Sequence, residues 1–156
     1  MREPARSLRL ADAAATERAG AALAACLPDL SAGSLVIHLI GELGAGKTTL
    51  VRGFLRQLGV GGTIRSPSYT LVETYEAAGL TLVHVDLYRV RSESEVEELA
   101  LAEFQLPRHV LLIEWPQQGG EMVPAPDATL HLEHAGLARR LTVTTATALG
   151  RDLSPL

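Results

Sequence analysis

The chain has 156 residues, of which 47% are hydrophobic and 21% charged, with a formal net charge of -4. That length suits one domain with a buried core, and that composition excludes an intrinsically disordered chain. The acidic balance argues against a protein that grips nucleic acid through a broad basic surface.

The start of the chain is rich in Arg and Ala, as transit peptides are, but Glu3, Asp12 and Glu17 break their acid-poor pattern. No apolar run approaches the length of a membrane span, so a cytoplasmic protein without membrane contact is expected. SLRL (7–10) reads as an edge strand, and Asp12 as the N-cap of a helix over 13–27 that Pro28 ends. Cys26, the sole cysteine, rules out an intrachain disulfide and is expected to be a small buried hydrophobe. SLVIHLI (34–40) is short, β-branched and nearly all apolar, the pattern of a central strand covered on both faces. A glycine-rich loop follows. A helix is predicted over 48–58, with Leu50, Val51, Phe54, Leu55 and Leu58 at helical spacing and Gly59 as its stop.

GVGGTIRSPS (59–68) is a turn-forming connection. YTLVETY (69–75) and LTLVHVDLY (80–88) read as strands, and the short EAAG between them forces an antiparallel hairpin. SESEVEELALAEF reads as a helix, with Ser92 and Glu95 at capping-box spacing and an acidic first turn that complements the helix dipole. HVLLIEW (109–115) is a second central strand, QQGGEMVPAPD a loop, and ATLHLEH and RLTVTTA a half-exposed hairpin about AGLAR. The whole chain, 1–156, reads as one domain with an ordered core over about 7–148 and a frayed tail from about 150. The expected fold class is α/β: three layers of P-loop NTPase type, with a mixed sheet, mostly parallel at its centre, and two antiparallel hairpins.

Gly41, Gly46, Lys47 and Thr48 satisfy G-x-x-x-x-G-K-[ST] between the first central strand and its helix. Gly44 and Gly46 let backbone N–H groups converge without Cβ clashes. The amides of Glu42, Leu43, Gly44, Ala45, Gly46, Lys47, Thr48 and Thr49 are thus candidates to surround phosphate with partial positive charge. Lys47 is the only lysine in the chain. Its compact ammonium can reach outer phosphates where a planar guanidinium does not fit. The Thr48 hydroxyl can ligate Mg²⁺. The chain has no asparagine and no second lysine, so it cannot contain the Asn-Lys-x-Asp motif that reads guanine in GTPases.

Such a loop needs a carboxylate at the end of another strand. Asp86 and Glu114 both end apolar strands on the side where α/β sheets bind ligands. HVLLIEW has no hairpin partner, so it is expected beside and parallel to the loop's strand, with Glu114 next to Thr48. Glu114 is therefore assigned to Mg²⁺, and Asp86 to water, the γ-phosphate or support of the metal. RSPSYT (65–70) offers Ser66, Ser68 and Thr70 to the site, or is a plain turn. Trp115 either stacks near the nucleotide or a partner, or packs in the core. The five histidines show no metal-ligand spacing and are read as structural.

GELGAGKTTLVRG, SPSYTLVE, HVDLYR and IEWPQQG, in this order and spacing, closely resemble the bacterial TsaE (YjeE) family over about residues 7–148. The resemblance implies a small Mg²⁺-dependent ATPase of tRNA threonylcarbamoyladenosine synthesis. Its partner would be the TsaB–TsaD heterodimer, which modifies the adenosine next to the anticodon, so tRNA would be met only through the complex. TsaE would not perform the transfer; slow ATP hydrolysis would reset the complex. By position, Thr48 and Glu114 would bind Mg²⁺, Asp86 would serve hydrolysis, and Trp115 and Gln117 would lie close to ATP. Glu42 and Ser68 stand where the family commonly has aspartate and threonine. An arginine of the last hairpin, Arg139 or Arg140, would approach the nucleotide. Arg65, Arg89 and Arg91 are the candidate arginine fingers. Two other readings share the loop: a small-molecule kinase, which would need an acceptor pocket and a lid, and a nucleotide-gated binding module with incidental hydrolysis.

Overall fold

The computed structural model describes residues 5–153. In chain order its elements are β1 (Arg6–Leu10), α1 (Ala13–Ala25), β2 (Leu35–Ile40), α2 (Lys47–Gln57), β3 (Val72–Ala77), β4 (Leu80–Asp86), α3 (Glu93–Leu99), β5 (His109–Glu114), β6 (Ala128–Ala135), β7 (Ala138–Thr145) and α4 (Ala148–Arg151). Single 3-10 turns cover Leu101–Phe104, Pro116–Gln118 and Gly120–Met122. The strands form one sheet in the order β1-β7-β6-β2-β5-β4-β3. β6, β2, β5 and β4 are mutually parallel. β3 pairs antiparallel with β4 at one edge, and β7 with β6 and β1 at the other. This is the mixed, centrally parallel sheet with two hairpins that the sequence predicts.

Strand alternation sorts the core into two layers. Leu35, Ile37, Leu39, Leu82, Val110 and Leu112 point to the face covered by α1 and α2. Val36, Val83, Val85, Leu111 and Ile113 point to the other face, which α3 and the 3-10 turn after it cover with Val96 and Leu101. β2 and β5 read as unbroken apolar runs because both of their faces are buried. β6 alternates because only one of its faces is: Leu130 and Leu132 are buried, while His131 and Glu133 are exposed.

Several boundaries differ from the sequence reading. β3 begins at Val72, not at residue 69, because Leu71 takes a left-handed φ of 68° and breaks the extended run. β4 ends at Asp86, not at residue 88. The first hairpin turns on two residues, Ala78 and Gly79, with φ of 53° and 74°, the pair of positive values that suits strand twist. The long helix expected from Ser92 stops at Leu99, where Ala100 turns left-handed (φ 49°) and lets Leu101 reach the core. The capping box does not close: Ser92 Oγ pairs with Ser94 Oγ at 3.0 Å, and Glu95 accepts from the Arg91 amide instead. Cys26, expected buried, is half-buried at the end of α1. The tail expected to fray from 150 instead continues α4 and buries Leu153; residues 154–156 lie outside the described residues.

α1 and α2 approach backbone to backbone. Asp12 caps α1, its Oδ1 accepting from the Ala15 amide at 2.8 Å. A Cβ on Gly20 would lie 2.0 Å from the Leu50 carbonyl oxygen, and one on Gly53 2.0 Å from that of Glu17. These glycines seat α1 directly on the helix that leaves the glycine loop. An alanine at Gly53 gains about 1 kcal/mol in helix propensity but must push the helices apart. We therefore expect Gly53→Ala to be destabilising by about 1–3 kcal/mol in urea unfolding. Gly33→Ala, where nothing lies within 4 Å of the new Cβ, should stay within about 0.5 kcal/mol of the wild type.

Candidate functional site

β2 delivers the chain to the loop, which passes close to β6: a Cβ on Gly41 would lie 2.6 Å from the Leu132 carbonyl oxygen. Gly44 and Gly46 adopt φ of 78° and 104°, values that favour glycine. Gly46 precedes α2 and supplies no side-chain cap, so no capping side chain satisfies the first amides of the helix. They border a cleft of about 440 Å³.

Lys47 lies at the base of this cleft, 5% exposed. Its Nζ donates to the carbonyls of Gly41 (2.5 Å) and Glu42 (3.0 Å) and sits 4.2 Å from the centre of the Trp115 ring. Burial pulls its ammonium below the ordinary lysine value, and the negative charges of Glu114 and Asp86 oppose that shift. Thr48 Oγ1 donates to Glu114, 3.0 Å from Oε1 and 3.2 Å from Oε2. This contact arises from the sheet: β5 lies directly beside β2, with Glu114 in register with Leu39. Asp86 is in register with Glu114 on β4. Its Oδ1 accepts from the Tyr88 amide at 2.9 Å and its Oδ2 from the Ser66 hydroxyl. Asp86 and Glu114 are only 5% and 2% exposed.

Leu43, Gly44, Ala45, Gly46, Lys47, Thr48, Thr49, Asp86, Glu114 and Trp115 therefore border one cleft, joined by Ser66, Ser68, Tyr88 and Arg89. RSPSYT is more than a turn, since Ser66 touches Asp86 and Ser68 reaches the cleft; Thr70 faces a neighbouring cavity instead. Trp115 both borders the cleft and packs in the core. Its ring covers Lys47, lies 4.9 Å from the Tyr88 ring, and packs on the second core layer. Its left-handed φ of 58° aims it there. Glu42 and Gln117 do not border the cleft: both side chains are exposed, and Glu42 contributes only its carbonyl to Lys47. Of Arg65, Arg89 and Arg91, Arg89 alone borders the cleft, with its guanidinium stacked 4.5 Å over the Tyr69 ring.

A smaller cavity of about 200 Å³ opens on the other side of Gly44 and Gly46, bordered by Asp12, Thr16, Thr49, Leu137 and Arg139. Arg139 Nη2 reaches the Gly44 carbonyl at 3.4 Å, while Arg140 is exposed on β7 and does not border this cavity. Sequence reasoning did not place Asp12 and Thr16 beside the glycine loop. Asp12 reads only as a helix cap, and Thr16 gives one weak signal, a lone polar residue on the buried face of α1. Leu137, 99% exposed at the tip of the last hairpin, is legible only as an apolar residue at a turn. His84, which its spacing marks as merely structural, is fully buried and touches Glu114.

Oxygen donors fit Mg²⁺ here. Thr48 and Glu114 offer a hydroxyl and a carboxylate at contact distance, the small protein share that Mg²⁺ takes when phosphates supply other ligands. Among the described residues no group of three His, Cys, Asp or Glu could hold a metal without such help.

Fold and cleft together define a P-loop NTPase-like α/β protein. The family model described as "Threonylcarbamoyl adenosine biosynthesis protein TsaE" matches residues 10–142. The chain belongs to the TsaE family, as the resemblance in its motifs implies. It is similar to the tRNA threonylcarbamoyladenosine biosynthesis protein TsaE of Haemophilus influenzae, 37% identical over 77% of this chain and 76% of the relative. The protein of the same name from Bacillus subtilis is 37% identical over 71% and 69%. The crystal structure of Bacillus subtilis YdiB superposes with a TM-score of 0.75 at 27% identity, covering 98% of this chain and 93% of that one. Among the described residues no helix is long and apolar enough to cross a membrane.

The single lysine gives a clean spectroscopic handle. In protein labelled with ¹⁵N-lysine, the one Nζ signal should titrate below the ordinary lysine value. Glu114→Gln removes a charge that favours the ammonium, so the midpoint should fall further. A midpoint that rises in the variant would contradict this geometry.

Proposed function

We propose that this chain binds ATP with Mg²⁺ in the cleft and hydrolyses it slowly, in the service of threonylcarbamoyladenosine formation on tRNA by a TsaB–TsaD heterodimer. The observation that carries the reading is the convergence of the glycine loop, Lys47, the Thr48–Glu114 pair and Asp86 on one cleft. Family membership supplies the pathway.

The loop amides and the start of α2 would cradle the β-phosphate. Lys47 would exchange its two carbonyl partners for outer phosphate oxygens, with Trp115 alongside. Thr48 Oγ1 and the Glu114 carboxylate would hold Mg²⁺, which when bound neutralises charge shared by the β- and γ-phosphates. Asp86, fixed by Ser66 and the Tyr88 amide, would orient a water at the γ-phosphorus. The new bond to water forms as the bond to the β,γ-bridging oxygen breaks, releasing ADP and phosphate. The smaller cavity beyond Gly44 would take the nucleoside, with Arg139 and Leu137 over it and Asp12 and Thr16 beneath. Arg89 is engaged on Tyr69, so the cleft offers little further positive charge to the transition state and turnover by the chain alone is slow. The heterodimer is the expected site of acceleration, a cytoplasmic assembly in which tRNA is reached only through the complex.

ATP turnover should be measured for the protein alone, with TsaB–TsaD, and with a panel of small phosphate acceptors. The heterodimer should raise turnover and the acceptors leave it unchanged. ADP formation that follows an acceptor and ignores the heterodimer would instead establish a kinase. Glu114→Ala should abolish the gain in ATP affinity that Mg²⁺ gives. Arg139→Ala should weaken ATP binding about tenfold, near 1.4 kcal/mol, while Arg140→Ala stays within about twofold.

A further inference from the structure

His84 is a histidine with no exposure at all, in the middle of β4. It has one polar partner: its Nε2 lies 2.5 Å from Glu114 Oε2. Its Nδ1 is buried with no hydrogen-bond partner. Burial of a ring nitrogen without a partner is unfavourable, and an aliphatic side chain would fill the same space without that cost. Packing therefore does not account for an imidazole here; the contact with Glu114 does.

The geometry also selects the tautomer. A proton on Nδ1 would leave a bare donor in the core and set the Nε2 lone pair against a carboxylate oxygen. A proton on Nε2 gives the carboxylate a donor and leaves only a lone pair unpartnered. Strand alternation explains the placement. Leu82, His84 and Asp86 share the face of β4 that looks toward α2, and Asp86 is in register with Glu114. One strand thus presents Asp86 at its end and, two residues earlier, a donor to the acid of the next strand.

We infer that His84 is a positioning residue: its Nε2–H holds the Glu114 carboxylate, together with the Thr48 hydroxyl, in the orientation that receives Mg²⁺ with bound nucleotide. The inference rests on the assignment of Glu114 to Mg²⁺ made above. Outer partners of this kind typically contribute ten- to a hundredfold in metal affinity.

The test compares His84→Leu, which fills the space without a donor, with His84→Gln, whose amide can place N–H near the Nε2 position. ATP binding is measured calorimetrically in EDTA and in MgCl₂ for the full chain. In wild type, Mg²⁺ should tighten binding. His84→Leu should lose about tenfold of that gain while its affinity in EDTA stays within about twofold, and His84→Gln should recover most of the loss. Wild-type binding indifferent to Mg²⁺ would overturn the metal assignment itself. A wild-type gain that His84→Leu keeps in full, or that both variants lose equally, would overturn the role of His84 alone.

If the leucine variant does not fold, ¹⁵N spectra of the histidine rings decide the matter in wild type and Glu114→Gln, with His84 assigned by its absence from His84→Gln. The expected result is a ring with a proton on Nε2 whose signal moves in Glu114→Gln. An unmoved signal would overturn the inference.

Discussion

The site depends on one pairing, the parallel contact of β2 with β5. β2 launches the glycine loop, and β5 ends in Glu114. With Leu39 opposite Glu114, the first turn of α2 cannot avoid the carboxylate, and Thr48 meets it at 3.0 Å. β4 then adds itself on the far side of β5 in a register that sets Asp86 beside Glu114. A slip of one residue in either ladder would turn its acid toward the opposite face of the sheet. The apolar runs that fix these registers are therefore as much a part of the site as the polar residues they carry.

Charge balance inside the cleft is a result of this arrangement. Two buried carboxylates and one buried ammonium share a small volume. Each is held by hydrogen-bonding partners: carbonyls for Lys47, hydroxyls for both acids, an amide for Asp86 and an imidazole for Glu114. Buried charge is tolerable when its hydrogen-bonding capacity is met in this way.

Much of this was legible in the sequence. The glycine loop, both central strands and both acids announce themselves through patterns of a few neighbouring residues. The order of β5 beside β2 comes from asking which strand lacks a hairpin partner. The hidden features were set by contacts between distant segments. Leu71 and Ala100 take left-handed conformations that no local preference favours, because the chain must turn there to pack Val72 against one sheet face and to bury Leu101 in the core. Ser92 and Glu95 have the spacing of a capping box, yet neighbouring groups satisfy them first. Gln117 lies close to the site in sequence but is exposed and does not border the cleft. His84 looked structural because its meaning lies in a neighbour thirty positions along the chain.

The close seating of α1 on α2 has a mechanical consequence. Gly20 and Gly53 weld the two helices at the level of their backbones. Asp12, Thr16, Gly46 and Thr49 consequently belong to a single stiff block, and one jaw of the cleft is an anvil. The opposite jaw is irregular chain, fastened to the sheet by the Ser66–Asp86 contact and steadied by the Arg89–Tyr69 stack. Those fastenings are side chains, compliant where the glycine weld is not. Load applied at the cleft is thus taken up on the side that carries Ser66, and the side that carries Asp12 and Thr16 keeps its shape.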